Sequence, residues 1–283
     1  MTADTGTFLA GVHDIPEAEY FAASHALSCS GAKLLLPPSC PARFFWQQDH
    51  PDQPVRKEVF DFGSAAHRLV LGAGRDITVL DFDSWHTRAS KEAREAAYAE
   101  GSVPLLRDDY VQVSEMAEVI RRHPVASALF DAELGRPEQS LFWQDPDTSV
   151  PLRARVDWLR DRAPGRLIIP DYKTASSADP ETFAKSAANY LYHLQDAWYG
   201  DGARALGLDE DPAFVFVVQE KTPPYLVTVI ELDEAARRAG RELSRRAIAT
   251  YQACTESGEW PGYSSGIELI SLPPWARSRE DYP

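Results

Sequence analysis

The sequence predicts a mixed α/β (α+β) fold, in which a central mixed β-sheet is flanked by helices and preceded by a helical N-terminal part. Three observations indicate this class: helix-type patterns fill most of the first 135 residues, short β-prone runs begin at residue 139, and helices then alternate with strands. We expect a single domain over 1–283, with a mainly helical part at 1–135, the sheet and its helices at 136–256, and an extended tail at 257–283.

The predicted helices of the N-terminal part have recognisable starts and stops. The first runs from Gly31 to Leu36, after a helix start at Leu27-Ser28-Cys29-Ser30, and ends at Pro37-Pro38 because proline cannot continue a helix. Apolar residues recur at helical spacing in later segments of this part. These segments are predicted to be helical at 62–71, 88–100 and 108–122.

The second part is predicted to begin with three neighbouring strands that form a meander. Turn formers such as Asp145-Pro146-Asp147 and Ala163-Pro164-Gly165 separate the β-prone runs at 140–144, 152–159 and 166–172. The remaining predicted elements are a helix at 189–206, strands at 214–219 and 225–231, and a helix at 233–255.

Composition limits the class of protein. Hydrophobic residues make up 44% and charged residues 25% of the chain, as in ordinary globular proteins. There is no apolar run long enough to span a bilayer and no secretory pattern at the N-terminus, so we expect a cytoplasmic location and no membrane partner. Cys29, Cys40 and Cys254 form no Cys-x-x-Cys pair, which disfavours disulfide, zinc and iron-sulfur sites.

The formal net charge of -14 argues against indiscriminate nucleic-acid binding, because affinity for a polyanion comes largely from Lys and Arg. It does not exclude an enzyme whose carboxylates hold a divalent metal ion. The metal cancels part of that charge, and a basic channel can coexist with acidic outer surfaces.

A candidate catalytic group lies at the ends of two predicted strands. Asp171 and Lys173 are two residues apart and therefore share a strand face, and Asp157 lies on the preceding strand, within about 4.8 Å of its neighbour. Two carboxylates with waters suit Mg²⁺, for which Mn²⁺ can substitute. Phosphodiester hydrolysis needs such a set, because negative charge develops on phosphate oxygens and water is a poor nucleophile. Lys173 is expected either to act on the attacking water as a base or to stabilise the developing charge.

Five motifs occur in a fixed order along the chain: Gly63-x-x-x-His67, Glu138, Arg155-x-Asp157, Asp171-x-Lys173 and Gln195-x-x-x-Tyr199. Their order resembles that of PD-(D/E)XK nucleases of the RecB and RecE type, closest to the RecE-like (exonuclease VIII-type) enzymes. The resemblance spans about residues 27–275. Each motif is weak alone, whereas the order is specific.

The resemblance implies a restriction-endonuclease-like core with Asp157 and Asp171 as metal ligands, His67 as a further ligand and Lys173 as the catalytic lysine. Glu138 is expected either to bind the metal, directly or through water, or to be an exposed turn residue. Two metal ions are as compatible with the sequence as one.

Gln195 and Tyr199 are four residues apart on a predicted helix, with Tyr192 one turn earlier. We expect this stripe to face the DNA beside the metal, with Gln195 and Tyr199 catalytic and Tyr192 binding DNA; the alternative is that it packs into the core. Further DNA contacts are expected from Arg153, Arg155, Arg88, Lys91 and Arg94, although 88–94 can equally be a solvated helix face. The same two interpretations apply to Arg237, Arg241 and Arg245.

The resemblance further implies a metal-dependent, phage-related exonuclease that acts on the ends of linear double-stranded DNA from 5′ to 3′ and leaves 3′ single-stranded overhangs for recombination. A ring-shaped homo-oligomer and a RecT-like annealing partner are implied in the same way. The alternative is a non-catalytic or differently specific protein, such as a Cas4-like one acting on single strands, that binds DNA ends with the same fold.

Overall fold

The computed structural model describes residues 9–50, 58–161 and 164–273 of the chain. The N-terminal part is mainly helical, as predicted, and four short strands interrupt it. Its helices are α1 (Glu17–Ala22), α2 (Cys29–Leu34), α3 (Pro41–Asp49), α4 (Glu58–Leu71), α5 (Arg88–Ala99), α6 (Arg107–Arg122) and α7 (Pro124–Leu129). Its strands are β1 (Gly11–His13), β2 (Leu27–Ser28), β3 (Ile77–Leu80) and β4 (Val103–Leu106).

The second part contains the long strands and the longest helix. Its strands are β5 (Gly135–Gln144), β6 (Pro151–Arg160), β7 (Ile168–Ala175), β8 (Ala213–Glu220) and β9 (Val227–Glu231). Its helices are α8 (Pro180–Asn189), α9 (Tyr192–Ala205) and α10 (Glu234–Ser257). The mixed α/β class is therefore confirmed. The helix predicted at 189–206 is α9, and α8 before it was not predicted.

The described strands form three hydrogen-bonded sheets, with orders β1-β5-β6-β2, β7-β8-β9 and β3-β4. The predicted meander is correct for β5 and β6 but wrong for β7, which pairs in parallel with β8. Helices α8 and α9 connect β7 to β8 and give the chain the length that a parallel crossover needs. The almost fully buried β8 then supplies an apolar partner strand.

Helix α9 packs against the first sheet through two tryptophans. The Trp198 indole N–H donates a hydrogen bond to the Arg153 carbonyl on β6 at 2.9 Å, and its ring meets Trp143 of β5 edge to face. A Cβ at Gly202 would lie 2.9 Å from the Trp143 ring, so the absence of a side chain there permits the close approach. Trp198 thereby fixes α9 in place over β6.

Helices α9 and α10 cross closely at Gly240. A Cβ built on Gly240 would lie 1.9 Å from the His193 carbonyl oxygen of α9, so only glycine fits this crossing.

Three free cysteines are buried. Among the described residues, no helix combines the length and the apolar character that crossing a membrane requires.

The C-terminal segment is irregular and exposed over most of its described length. Its first residues pack on α3, where Trp260 stacks on Phe44 with ring centroids 5.4 Å apart. The Ala42 N–H also donates a hydrogen bond to the Pro261 carbonyl at 3.1 Å. The prediction of an extended tail agrees with this segment up to residue 273, and 274–283 lie outside the described residues.

Candidate active site

Asp171 and Lys173 form the centre of the site on β7. The Lys173 ammonium is ion-paired with Asp171 Oδ2. Asp171 is 2% exposed, and burial raises its pKa to about 6 although Lys173 opposes the rise. Burial alone would lower the pKa of Lys173, but the carboxylates of Asp171 and Asp157 outweigh it and raise that pKa. Lys173 is therefore an ammonium ion in this structure.

Asp157 reaches this pair from β6, on the neighbouring sheet. Its Oδ2 accepts a hydrogen bond from the Tyr172 backbone N–H at 2.8 Å. Because Tyr172 lies between Asp171 and Lys173 in the chain, this bond fixes the Asp157 carboxylate beside both. Burial opposes ionisation of Asp157, but His67, the Lys173 ammonium and the Tyr172 N–H together outweigh it and lower the pKa of the carboxyl. The three side chains predicted to converge therefore do so, through a side-chain contact between sheets.

His67 of α4 faces the same carboxylate. Its Nδ1 lies 2.9 Å from the Gly63 carbonyl oxygen, which can only accept, so Nδ1 carries the hydrogen. Its Nε2 lies 3.2 Å from Asp157 Oδ2. Burial would lower the pKa of His67, yet Asp157 outweighs it and the pKa is raised. The bond to Gly63 orients the ring so that Nε2 is the nitrogen presented to the acids.

Glu138 lies on β5, directly across from Asp157. Pro137 pairs with Trp158 and Gln139 pairs with Val156, so Glu138 lies opposite Asp157. Glu138 itself has a left-handed backbone conformation, with φ of 55°. Its Oε2 accepts a hydrogen bond from Arg155 Nε at 2.6 Å. Burial, and then the Asp157 carboxylate, raise the pKa of Glu138. The alternative of an exposed turn residue does not hold, because Glu138 is half-buried within a strand.

Helix α9 brings Gln195 to the site but directs Tyr199 elsewhere. Gln195 Nε2 donates a hydrogen bond to Asp171 Oδ1 at 2.7 Å, so it positions the carboxylate. The Tyr199 hydroxyl donates to the Arg155 carbonyl at 3.0 Å. The Tyr199 hydroxyl therefore holds α9 on β6, and its catalytic role stays a prediction.

An open cleft of about 800 Å³ lies over the site. His67, Glu138 and Lys173 reach its wall, while Asp171 is buried beneath Lys173. Tyr192, predicted to bind DNA, also lines the cleft. Other lining residues are Tyr190, Thr174, Ser176 and Lys221.

Lys33 of α2 was not predicted to have a role, but its Nζ lies 5.3 Å from the centre of the Tyr192 ring. A signal was present in the sequence. Lys33 is the one charged residue between Ala26 and Ala42, in an otherwise apolar and uncharged segment.

Arg153 and Arg155 do not reach the cleft, contrary to their predicted DNA contacts. The Arg153 guanidinium is buried over the Tyr20 ring, 4.7 Å from its centre, and donates to the Tyr20 carbonyl. Arg155 donates to Glu138, to the Ile15 carbonyl at 3.0 Å and to a serine hydroxyl of β5. Both arginines face the N-terminal segment and hold it on the sheet.

The structure does not bring the cations of α5 to the site either. Arg88 is paired with Glu92 at 2.7 Å, Lys91 is exposed, and Arg94 lies 5.1 Å from the centre of the Trp85 ring. Helix α5 packs on the small β3-β4 sheet, and none of its residues lines the cleft among those described.

The arginine stripe of α10 is engaged by acids. Arg237 and Arg241 pair with Glu234, and Arg245 pairs with Asp145 and, at 3.3 Å, with Asp147. The solvated-face interpretation of this stripe therefore fits better than a DNA contact.

The donor set fits a divalent cation in its chemistry. His67, Glu138, Asp157 and Asp171 supply three carboxylates and one imidazole nitrogen, which suit an ion that prefers oxygen ligands. Within the described residues, no three such side chains are already arranged around a common point. Protein cations lie against two of these carboxylates: Lys173 contacts Asp171, and Arg155 contacts Glu138.

A family model described as "PDDEXK-like domain of unknown function (DUF3799)" matches residues 28–273, which include all the residues of the site. No protein with a curated description matches the sequence.

Two solved structures show how far the fold is shared. A crystal structure from Eubacterium rectale, described as a "Putative exonuclease", aligns over 92% of this chain and 96% of its own with a TM-score of 0.63 and 12% identity. At that identity the match shows the fold alone. A second crystal structure, that of SSO0001, covers 71% of this chain and 81% of its own with 15% identity, and its TM-score of 0.28 carries no argument.

Proposed function

The chain belongs to the family of PDDEXK-like domains of unknown function (DUF3799), and we propose that it is a divalent-metal-dependent exonuclease acting on the ends of linear double-stranded DNA. The observation that carries this proposal is the convergence of Asp157, Asp171 and Lys173, with His67 and Gln195 fixing the two carboxylates. This is the donor set that phosphodiester hydrolysis needs.

The metal site of the proposal uses His67, Glu138, Asp157 and Asp171, with Mg²⁺ as the expected ion and Mn²⁺ as a substitute. A bound divalent ion supplies a more acidic water and neutralises charge on the phosphate oxygens. Asp171 starts from a buried position with a pKa of about 6, so it is mostly ionised and available at neutral pH.

Lys173 acts in this proposal as a cation rather than as a base. Its pKa is raised by Asp171 and Asp157, so the ammonium keeps its protons at neutral pH. It can then orient the attacking water or lie against a phosphate oxygen on which negative charge develops. Of the two roles left open by the sequence, charge stabilisation fits the structure better.

Gln195 is a positioning residue in this proposal. Its amide nitrogen donates to Asp171 Oδ1, so the other oxygen, Oδ2, is the one turned toward Lys173. Because Gln195 is itself buried, its orientation is fixed by packing. A fixed carboxylate costs less reorganisation when charge develops beside it.

The finer parts of the proposal are supported by the RecE-type order of motifs. They are digestion from 5′ to 3′, 3′ single-stranded overhangs that feed recombination, a ring-shaped homo-oligomer and a RecT-like annealing partner. The Eubacterium rectale neighbour, described as a "Putative exonuclease", agrees with exonuclease rather than endonuclease action at the level of shared fold.

The test compares linear and covalently closed circular duplex DNA of the same sequence with Mg²⁺, with Mn²⁺ and with EDTA. We expect the linear duplex to shorten and release nucleotides with either metal, the circle to stay intact, and EDTA to stop the reaction. Strands labelled at the 5′ or the 3′ end then give the polarity.

Cleavage of closed circles, or of neither substrate with either metal, would refute the proposal. Degradation restricted to single strands would favour the Cas4-like alternative. Lys173→Ala serves as the matched variant, and it should fold but not cleave.

A further inference from the structure

Two lysines from distant parts of the chain meet at one aromatic ring in the cleft. Lys33 Nζ of α2 lies 5.3 Å and Lys173 Nζ of β7 lies 5.4 Å from the centre of the Tyr192 ring. The ring stacks on Phe183 behind it, with centroids 5.7 Å apart. The Tyr192 ring is therefore held in place by stacking and contacts two ammonium groups beside the carboxylates of the proposed metal site.

The two ammonium groups differ in their partners. Lys173 is ion-paired with Asp171. Lys33 forms no ion pair with a carboxylate of the described residues, although its side chain is half-buried. Burial lowers the pKa of Lys33, and the positive charge of Lys173 adds to this, while Cys29 and the Asp171 carboxylate oppose it without reversing it. A cation that is partly removed from water and faces a second cation is stabilised by an anion placed between them.

We propose that Lys33 is a phosphate-binding residue, which holds an oxygen of a DNA phosphate next to the bond that is cleaved beside Lys173. The inference rests on the proposed function, since it names a subsite beside the same cleft, whose wall includes Tyr192 and Lys173. A phosphate is the anion that DNA delivers there, and a lysine binds it as a point charge without needing fixed geometry. The phosphate is either the 5′-terminal one or an internal one of the backbone.

A purely structural role for Lys33 makes different predictions. Lys33 lies in the last turn of α2, where a cation interacts favourably with the helix carbonyls, and its stem packs near Tyr192. If that were its whole role, removing the charge would lower thermal stability and leave the salt dependence of DNA binding unchanged.

The experiment measures binding of a 3′-fluorescein-labelled duplex by anisotropy, across a series of KCl concentrations, with Ca²⁺ as a hard cation in place of Mg²⁺. A gel checks that the duplex remains intact. The variants are Lys33→Met and Lys33→Arg, with Lys185→Met as a matched control, because Lys185 is an exposed lysine of α8 with no assigned role.

For Lys33→Met we expect about a tenfold loss of affinity at low salt, and a plot of log K against log[KCl] shallower by about 0.9, as for the loss of one phosphate contact. Lys33→Arg should keep the wild-type slope, and Lys185→Met should match the wild type. The melting temperature of Lys33→Met should equal or exceed that of the wild type, since an unpaired cation has been removed.

Duplexes with a 5′-phosphate and with a 5′-hydroxyl distinguish the two sources. A loss confined to the phosphorylated duplex assigns Lys33 to the terminal phosphate, and an equal loss on both assigns it to the backbone. An unchanged slope for Lys33→Met, or no DNA binding by the wild type, overturns the inference. Binding is read without hydrolysis, so a protein that shows the expected slopes but never cleaves DNA would refute the proposed function and leave this subsite standing.

Discussion

Replacing Lys173 by methionine separates the structural and chemical roles of this lysine. Its ammonium is paired with Asp171, which is 2% exposed. Removing one partner of a buried pair costs about 3–5 kcal/mol. Because the Lys173 side chain is still 20% exposed, we expect the lower end, about 3 kcal/mol of unfolding free energy. Methionine keeps the unbranched stem, so the loss reports on charge rather than on a cavity.

The same variant should bind a divalent ion more tightly. In the wild type the ammonium occupies the position against Asp171 that a metal ion needs, so the two cations compete. We expect Lys173→Met to bind Mn²⁺ at least about tenfold more tightly, because unit charges near a protein surface interact by about 4 kcal/mol at 4 Å. Cleavage should nevertheless fall by about 100-fold or more, since the cation beside the phosphate is lost.

Urea unfolding in EDTA measures the stability loss, and calorimetric titration with Mn²⁺ measures the affinity. A double variant with Asp171→Asn should recover most of the stability, because no unpaired carboxylate remains. A Lys173→Met protein that is as stable as the wild type in EDTA, or that binds Mn²⁺ more weakly, would refute the competition between lysine and metal.

Three further predictions concern other parts of the molecule. Gly240→Ala should lower the unfolding free energy by about 3 kcal/mol in urea titrations, because its Cβ would lie 1.9 Å from the His193 carbonyl oxygen; an unchanged midpoint would contradict the crossing. Asp196 is buried on α9 with its pKa raised from 3.8 to about 7 by burial, so the folded state holds the proton more tightly than the unfolded state, and stability is lost as the pH rises from 3.8 to about 7. Asp196→Asn should therefore be more stable than the wild type by up to about 4 kcal/mol at pH 8.5 and equal to it below pH 3.8, as read from melting temperatures; a loss at pH 8.5 would refute this. Tyr199→Phe should lose about 1 kcal/mol of stability with its bond to the Arg155 carbonyl and keep at least half of the cleavage rate, whereas a 100-fold fall in rate would support its predicted catalytic role.

The sequence correctly placed Asp157 and Asp171 on strands, because the residue pattern of a strand is local. The apolar run before Asp171 and the alternation up to Asp157 are short-range patterns, and they placed both carboxylates on strands. The partner of β7 was not predictable in the same way, since pairing is decided by which distant strand offers a buried apolar face. Asp157 and Asp171 still lie together although the strand pairing was predicted wrongly, because the Asp157 carboxylate accepts a hydrogen bond from the Tyr172 N–H on β7.

The site residues that the sequence misjudged depend on long-range contacts. Alternation places Arg153 and Arg155 on one strand face, but it does not reveal that Tyr20 covers that face. Glu138 has a left-handed φ where the strand pairing is interrupted opposite Asp157. The sequence did not indicate this conformation, because the position holds neither glycine nor asparagine, the residues that usually adopt it. Lys33 acquires its position only because α2 and α9 meet at Tyr192.

Diffraction from crystals soaked in Mn²⁺, with data collected for anomalous scattering, tests the central claim most directly. The account predicts one or two anomalous peaks bound by Asp157 and Asp171, with His67 Nε2 nearby and the Lys173 ammonium displaced from Asp171. An absence of peaks at saturating Mn²⁺, with the ion pair between Lys173 and Asp171 intact, would contradict it.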